Sequence, residues 1–340
     1  MRNRLFAWLI CLVLTATGGC GKSDRFDTAQ TSAPEKQETG AKEPVFRFGI
    51  GFSGDGYAVF LKDWKEKVFQ ETGGDVELEL FGGNILGSGS AMCRAVQKGT
   101  LSVVATSTSA TTDIVPEAAI MDIPGCFPAY SVPHRIYSGE FFEKLNECYE
   151  AQGLELLGLR TGEPWIISSG RKTERLSELR GMTVRTSGSR WHNRLYDALG
   201  MKRVEDISLG GLTYLLDDGK VDGIETTYEI LRTQGLVEKQ PYGLNVPFFH
   251  MSSSITMNLE AYESLPDEYR KVLKNTLLEL MTKEEERMAE TVPDGMEFVS
   301  FGREDMETLK EAAEPIRKEI LDLVDDELKE AFLKENAGRE

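Results

Sequence analysis

Histidine and cysteine are scarce in this chain of 340 residues, which has three of the former and five of the latter. His134, His192 and His250 are far apart, and no HExxH or CxxC spacing occurs. Zinc sites draw their ligands from closely spaced residues of these types, so the sequence predicts no metal centre. A G-x-S-x-G elbow is also lacking, and the S-x-x-K match from Ser169 to Lys172 has neither an S-D-N nor a K-T-G companion. We therefore expect a protein that is not an enzyme and uses no cofactor.

Positive charge is in deficit. Lysine and arginine number 39 against 56 aspartates and glutamates, and the net charge is −17. This balance argues against binding to nucleic acid or to a broad anionic membrane surface. It does not exclude an anionic small ligand, because one buried arginine can dominate the local field.

Cys93, Cys126 and Cys148 lie beyond the N-terminal region. Three is an odd number, and their spacing matches no metal motif. They fit buried, small apolar residues, but one disulfide among the three also stays open if the protein lies outside the cytoplasm.

The N-terminus reads "MRNRLFAWLICLVLTATGGCGKSD". Arg2 and Arg4 form a positive segment, and the apolar run from 5 to 13 is too short to span a bilayer with any margin. We therefore expect a signal peptide over residues 1–19 and a location outside the cytoplasm.

Small residues directly before Cys20 resemble the lipobox of bacterial lipoproteins, although Thr17 stands where that family prefers leucine. In those proteins the cysteine receives lipid and becomes the mature N-terminus, so the resemblance implies a lipid anchor at Cys20. The alternative is an ordinary cleaved signal in which Cys20 is incidental. Residues 20–45 are largely polar and have no apolar period, which predicts a flexible tether behind the lipidated N-terminus.

The stretch "FRFGIGFSGDG", residues 46–56, places Gly49, Gly51 and Gly54 as G-x-G-x-x-G between a predicted strand and a predicted helix. This pattern is typical of dinucleotide-binding folds. A protein outside the cytoplasm has no steady supply of nicotinamide cofactor, however. We therefore interpret the turn as a site for a polar ligand group, since a helix N-terminus exposes backbone N–H groups.

Predicted strands and helices alternate along the rest of the chain, which is typical of α/β folds with parallel strands. Two such units follow one another, and the chain crosses back between them. This arrangement predicts a bilobal binding protein that holds its ligand between the lobes and closes by a hinge motion.

Five segments resemble, in order, the solute-binding proteins of TRAP transporters, of the DctP type. They are "FGGNILGSGSAMCRAVQKGTLSVVATSTSAT", "PEAAIMDIPGCFPAYSVPHRIYSG", "LSELRGMTVRTSGSRWHNRLYDALGMKRVEDI", "LDDGKVDGIET" and "ITMNLEAYESLPDEYRKVL". The five segments lie between residues 81 and 273, and the resemblance as a whole extends over about residues 45 to 285.

The resemblance implies a periplasmic-binding-protein-like α/β fold of two lobes, joined by hinge strands and a long helix that spans both. Lobe 1 would comprise residues 46–162 plus 251–295, and lobe 2 residues 163–250 plus 296–340. The implied function is capture of a small organic acid in the periplasm and its delivery to the membrane subunits of an ion-coupled TRAP permease. The alternative is a sensing or scavenging lipoprotein that has no permease.

The resemblance also assigns ligand-binding residues. Arg185 matches the arginine that binds the ligand carboxylate in this family. Thr226 lies near a position that is often asparagine, and Trp165 replaces a second arginine of sialic-acid-binding members. Trp165 could therefore cover an apolar ligand face or fill the core of a lobe.

The remaining candidates lie at strand ends and in the turns that follow them. Polar or backbone groups are offered by Gly51, Ser53, Ser107, Thr108 and Gly188. Phe127 could wall the pocket or pack in the core.

Overall fold

The computed structural model describes residues 44–52, 57–82, 85–125, 138–205, 207, 211–244, 249–289 and 294–336. The strands are β1 (Phe46–Phe52), β2 (Val76–Phe81), β3 (Val103–Ser107), β4 (Leu154–Pro164), β5 (Ile166–Ser169), β6 (Thr183–Arg185), β7 (Lys202–Val204), β8 (Gly223–Thr226), β9 (Tyr242–Leu244), β10 (His250–Asn258) and β11 (Glu297–Val299). The helices are α1 (Ala58–Glu71), α2 (Gly89–Gln97), α3 (Glu140–Glu150), α4 (Arg190–Ala198), α5 (Leu212–Asp217), α6 (Tyr228–Thr233), α7 (Leu259–Glu263), α8 (Asp267–Ala289), α9 (Arg303–Leu321) and α10 (Asp326–Asn336). Across these described ranges, no helix combines the length and the apolar character needed to cross a bilayer.

The first sheet has the strand order β2-β1-β3-β10-β4. β1 pairs in parallel with β2 and β3, as the alternating pattern predicts. β10 runs antiparallel to both β3 and β4. The alternating pattern predicts parallel strands, and β10 is an exception. It is antiparallel because the chain enters this sheet from the second sheet, in the direction opposite to that of β3 and β4.

The second sheet has the order β11-β9-β5-β8-β6-β7. β6 pairs in parallel with β7 and β8, whereas β5 is antiparallel to β8 and β9. β5 receives the chain from the first sheet, so it is reversed for the same reason as β10. The two sheets and their covering helices form the bilobal α/β fold predicted from the sequence.

Two neighbouring strands carry the chain between the sheets. β4 leaves the first sheet and leads through Trp165 into β5, while β10 begins at His250, after β9 of the second sheet. The backbone N–H of Trp165 donates to the carbonyl of Phe249 over 2.8 Å, and His250 pairs with Pro164. This paired crossing is the hinge region.

α8 is the long helix that the sequence predicts, with 23 residues, or about 35 Å at 1.5 Å per residue. It packs against α1 and β4, and the chain then continues to β11 of the second sheet. The fully buried Trp64 of α1 donates its indole N–H to α8, to the carbonyl of Leu273 at 3.2 Å. These contacts fix α8 on the first lobe before the chain crosses.

The C-terminal helices divide between the lobes. α9 packs against α4, beside the second sheet, and α10 packs against α3, beside the first. The sequence pattern predicts one helical region over 304–336, but the helix is interrupted at 322–325. The lobe boundaries stay a prediction. They assign residues 296–340 to lobe 2, whereas α10 contacts α3, which lies in the range predicted for lobe 1.

Candidate functional site

Four strand ends define the place where a bilobal α/β protein binds its ligand, because ligands lie beyond the carboxyl ends of parallel strands. These four ends belong to the parallel strands β1 and β3 of the first sheet and β6 and β8 of the second. Arg185 and Thr226 are the last residues of β6 and β8, and Ser107 is the last residue of β3. The predicted site residues thus fall at corresponding ends of two sheets.

Gly51 of β1 has a packing reason to be glycine. A Cβ built there would lie 2.7 Å from Sδ of Met92 and 3.0 Å from Leu101. The first distance is shorter than real Cβ contacts and the second is tight, so a side chain at position 51 would require Met92 and Leu101 to shift. A ligand contact at Gly51 stays a prediction.

The end of β3 is held by hydroxyl groups. Thr108 is fully buried, and its hydroxyl donates to that of Ser252 on β10. Ser107 is half-buried and accepts a hydrogen bond from the hydroxyl of Ser109 at 3.3 Å. Of the two predicted ligand contacts, Ser107 therefore has the more accessible side chain.

Arg185 ends β6 with only 8% of its surface exposed. Its Nε and Nη2 donate to the carbonyl of Ile207, at 3.1 and 2.6 Å. Burial lowers the pKa of Arg185, and the carboxylate of Glu225 opposes this effect. The pKa of arginine lies so far above neutrality that the guanidinium stays charged. Within the described ranges, no carboxylate lies within 4.0 Å of it.

Glu225 of β8 is fully buried at the centre of a polar cluster. Its Oε1 contacts Nδ1 of His192 at 2.5 Å and accepts from the hydroxyl of Tyr196 at 2.8 Å. Its Oε2 accepts from the backbone N–H of Ser187 at 2.6 Å. Burial alone would raise the pKa of Glu225, but His192 and the Ser187 N–H outweigh it and lower the pKa to about 2. Glu225 is therefore a carboxylate at neutral pH and anchors the loop after Arg185.

Thr226 is buried at the end of β8, opposite Ile166 of β5. Its hydroxyl donates to the carbonyl of Thr227 at 3.3 Å. Gly188, between β6 and α4, is exposed, with φ at +90° and open space around its Cα. It is therefore on an accessible surface beside Arg185.

Trp165 lies in the hinge region and is half-buried. Its ring meets that of His192 edge to face, with centroids 5.9 Å apart. It also borders an apolar cavity of about 30 Å³, together with Leu195, Tyr196 and Phe249 among others. Trp165 thus contacts the second-lobe core on one side, and its contact with ligand stays a prediction.

Three predicted residues, Cys20, Ser53 and Phe127, fall outside the described residues. Cys126 also lies outside the described residues, so the structure tests only Cys93 and Cys148 as a disulfide pair. Cys93 and Cys148 are free thiols, the first buried and the second half-buried. Burial raises the pKa of Cys93 to about 12 and that of Cys148 to about 11. Among the described side chains, no group of three or more His, Cys, Asp or Glu residues could hold a metal ion.

Sequence reasoning missed the cluster around Glu225. Its only signal is the string "VDGIET", in which Glu225 directly precedes the predicted Thr226. His192 appears in the sequence as an isolated histidine, and Asp122 has no distinguishing context. The fold brings Nε2 of His192 to 4.0 Å from Oδ1 of Asp122.

Comparisons with known proteins agree with this architecture. The family model described as "Bacterial extracellular solute-binding protein, family 7", DctP, matches residues 55–323. A crystal structure of a TRAP periplasmic solute-binding protein from Desulfovibrio salexigens, with bound orotic acid, superposes with a TM-score of 0.74. It is 22% identical, and the match covers 86% of this chain and 98% of that one.

Two curated relatives have similar sequences. The C4-dicarboxylate-binding periplasmic protein DctP of Rhodobacter capsulatus is 22% identical over 271 residues, which are 77% of this chain and 81% of that protein. Uncharacterized protein y4mM of Sinorhizobium fredii is 30% identical over 190 residues. That match covers 56% of this chain and spans only 35% of the length of y4mM.

The family model covers most of the chain, and the fold is that of TRAP periplasmic solute-binding proteins. The family that the sequence motifs predict is therefore confirmed. The chain belongs to the bacterial extracellular solute-binding proteins of family 7, the DctP family of TRAP solute-binding proteins.

Proposed function

We propose that this protein captures a small organic acid outside the cytoplasm and delivers it to an ion-coupled TRAP permease, with Arg185 as the anchor of the ligand carboxylate. One observation carries the proposal. Arg185 is a nearly buried guanidinium at a strand end of the second sheet, and no described carboxylate pairs with it. Burying a charge is unfavourable unless a partner compensates it, so the site calls for an anion.

The geometry of Arg185 suits a carboxylate. Its hydrogen bonds to the carbonyl of Ile207 use Nε and Nη2. These bonds fix the plane of the guanidinium, and the end formed by Nη1 and Nη2 can still bind two oxygens side by side. The acid ligands named for two similar proteins, orotic acid and C4-dicarboxylates, support the same ligand class.

The test begins with a thermal-shift screen of carboxylic acids that includes orotate, succinate and L-malate. Calorimetry then compares the best binder in the wild type, Arg185→Ala, Arg185→Lys and the control Arg203→Ala. Arg203 is a matched control because it lies on the neighbouring strand β7, in register with Val184, and pairs with Asp197.

Loss of one partner of a desolvated charge pair costs about 2–5 kcal/mol, which is roughly 30-fold or more in affinity. Arg185→Lys should also bind poorly, since an ammonium cannot form the planar two-point contact. Arg203→Ala should bind like the wild type. A dissociation constant for Arg185→Ala within about threefold of the wild type, half a decade on the tenfold-per-1.4 kcal/mol scale, would disprove the anchoring role.

We also propose that Cys20 carries a lipid anchor, which would keep the protein at the membrane that holds its permease. The support is the small-residue sequence before Cys20 and the polar stretch after it. Mass spectrometry of the membrane-extracted protein should find a diacylated or triacylated cysteine at the N-terminus. A soluble product that begins downstream of Cys20 would contradict the anchor without affecting the role of Arg185.

A further inference from the structure

A row of three buried titratable side chains runs from one lobe to the other. Glu225 and His192 belong to the second lobe, on β8 and α4. Asp122 ends a 3₁₀ helix, Pro116–Asp122, which follows β3 and packs against α3 and β10 of the first lobe. All three residues are at most 4% exposed, so solvent does not screen them.

Glu225 determines how His192 holds its protons. Because Glu225 is ionised, the 2.5 Å contact at Nδ1 of His192 is a donated N–H hydrogen bond. Nδ1 therefore keeps its proton, and Nε2 is the ring nitrogen that can gain or lose one.

Nε2 of His192 faces the first lobe. It is buried and has no hydrogen-bond partner among the described residues. Oδ1 of Asp122 lies 4.0 Å away, about 1 Å beyond hydrogen-bond distance. The other oxygen of Asp122 accepts from the hydroxyl of Ser189, at the start of α4, over a long 3.5 Å. Both contacts across the interface would shorten if the lobes moved closer together.

The row lies against the hinge. The ring of His192 stacks on Phe249, with centroids 3.8 Å apart, and meets the edge of Trp165. Trp165 and Phe249 are the residues whose backbones pair where the chain crosses between the sheets. A change in the position of His192 is therefore transmitted directly to the hinge.

Few other charges reach this row. Tyr196 of α4 donates to Glu225, and Arg185 of β6 interacts electrostatically with Glu225 rather than with His192. From the hinge region, Trp165 and Phe249 present aromatic rings to His192. Arg190 and Arg194 of α4 pair with Glu319 of α9, where all three side chains are partly exposed. The electrostatics of Nε2 are thus governed by Asp122 on one side and Glu225 on the other.

We propose that Asp122 and His192 are positioning residues that form a proton-dependent latch between the lobes. With one proton between them, Nε2 and the carboxyl of Asp122 hydrogen-bond and hold the lobes together beside the hinge. Without it, two acceptors face each other and the lobes separate. The latch is a property of the unliganded protein and does not depend on which solute Arg185 binds.

The direction of the pH dependence follows from the surroundings. Burial lowers the pKa of His192, but Glu225 and Asp122 outweigh it, so the pKa lies above 6.5. Burial raises the pKa of Asp122 to about 6. The proton on Nε2 is lost as the pH rises through the pKa of His192, and the latch is lost with it.

The experiment measures the titration of the three histidines in the unliganded protein by NMR of their Cε1–H groups. Signals are assigned with His134→Gln, His192→Gln and His250→Gln. The test variant is Asp122→Asn, which keeps the shape and removes the charge. Asp113→Asn is the matched control, because Asp113 is an exposed acid of the same lobe.

We expect His192 to titrate above pH 6.5 in the wild type and in Asp113→Asn. In Asp122→Asn its midpoint should fall by about one pH unit, a tenfold change in the protonation equilibrium. An equal midpoint in the wild type and Asp122→Asn would overturn the proposal.

Small-angle scattering tests the latch through the size of the unliganded protein. The radius of gyration should be smaller at about pH 6 than at about pH 9, on either side of the histidine titration. Asp122→Asn should show no change between the two conditions, because its amide can accept from protonated Nε2 and donate to neutral Nε2. If the wild-type radius does not change between these conditions, the pair titrates without holding the lobes and the latch is refuted.

Discussion

Replacement of Phe332 by alanine tests whether α10 is an integral part of the first lobe. The Phe332 side chain is fully buried and packs on Phe141 of α3, with ring centroids 5.1 Å apart. Truncation of a buried phenylalanine costs about 3–5 kcal/mol through lost contacts and the cavity left behind. At about 2–4 °C per kcal/mol for a chain of this size, the melting temperature should fall by roughly 6–20 °C.

The neighbouring position provides the control. Leu333 lies on the same helix but is 44% exposed. Leu333→Ala should therefore change stability by less than about 1 kcal/mol. Thermal and urea unfolding are followed by circular dichroism for the wild type and both variants. If Phe332→Ala and Leu333→Ala melt within about 2 °C of each other, which is below 1 kcal/mol, α10 is not packed as described.

Two further predictions concern the second lobe and the hinge. Gly223→Ala should lower stability by about 1–3 kcal/mol, because its Cβ would lie 2.5 Å from the backbone oxygen of Ser168; an unchanged urea midpoint would show that the two strands are further apart. Among the tryptophans of the folded lobes, Trp165 should be the one whose fluorescence is quenched by acrylamide and changes when an acid binds. The other two, Trp64 and Trp191, are at most 2% exposed. The comparison is between wild type, Trp165→Phe and Trp191→Phe, and a signal retained in full by Trp165→Phe would contradict this.

Local patterns in the sequence predict much of the fold. The βα alternation and the family motifs predict two α/β lobes. The sequence pattern also predicts helices over 57–71, 88–98 and 267–290, and α1, α2 and α8 begin and end within one residue of these limits. They do not predict that β5 and β10 are antiparallel, because strand direction depends on which sheet the chain comes from. The interruption between α9 and α10 is also set by tertiary packing, since the two helices contact different lobes.

The site shows the same division. The motif around Arg185 places it at a strand end, where the structure has it. The glycine pattern suggests a turn that binds a polar ligand group, yet a side chain at Gly51 would also meet Met92 in the packed lobe. Asp122, His192 and Glu225 are separated by 70 and 33 residues in sequence, so no local pattern could join them, and only the folded chain brings them into one row.

The position of α10 has a consequence for the order of folding. Lys334 donates to Glu140, a residue 194 positions earlier in the chain. The first lobe is thus completed by a helix that lies far beyond the rest of that lobe in the chain, and contacts of such long range form late and slowly. A chain that emerges from the ribosome N-terminus first cannot complete this lobe until α10 has emerged. The nascent first lobe therefore remains incompletely folded until then, the state in which a polypeptide can still be threaded through a membrane.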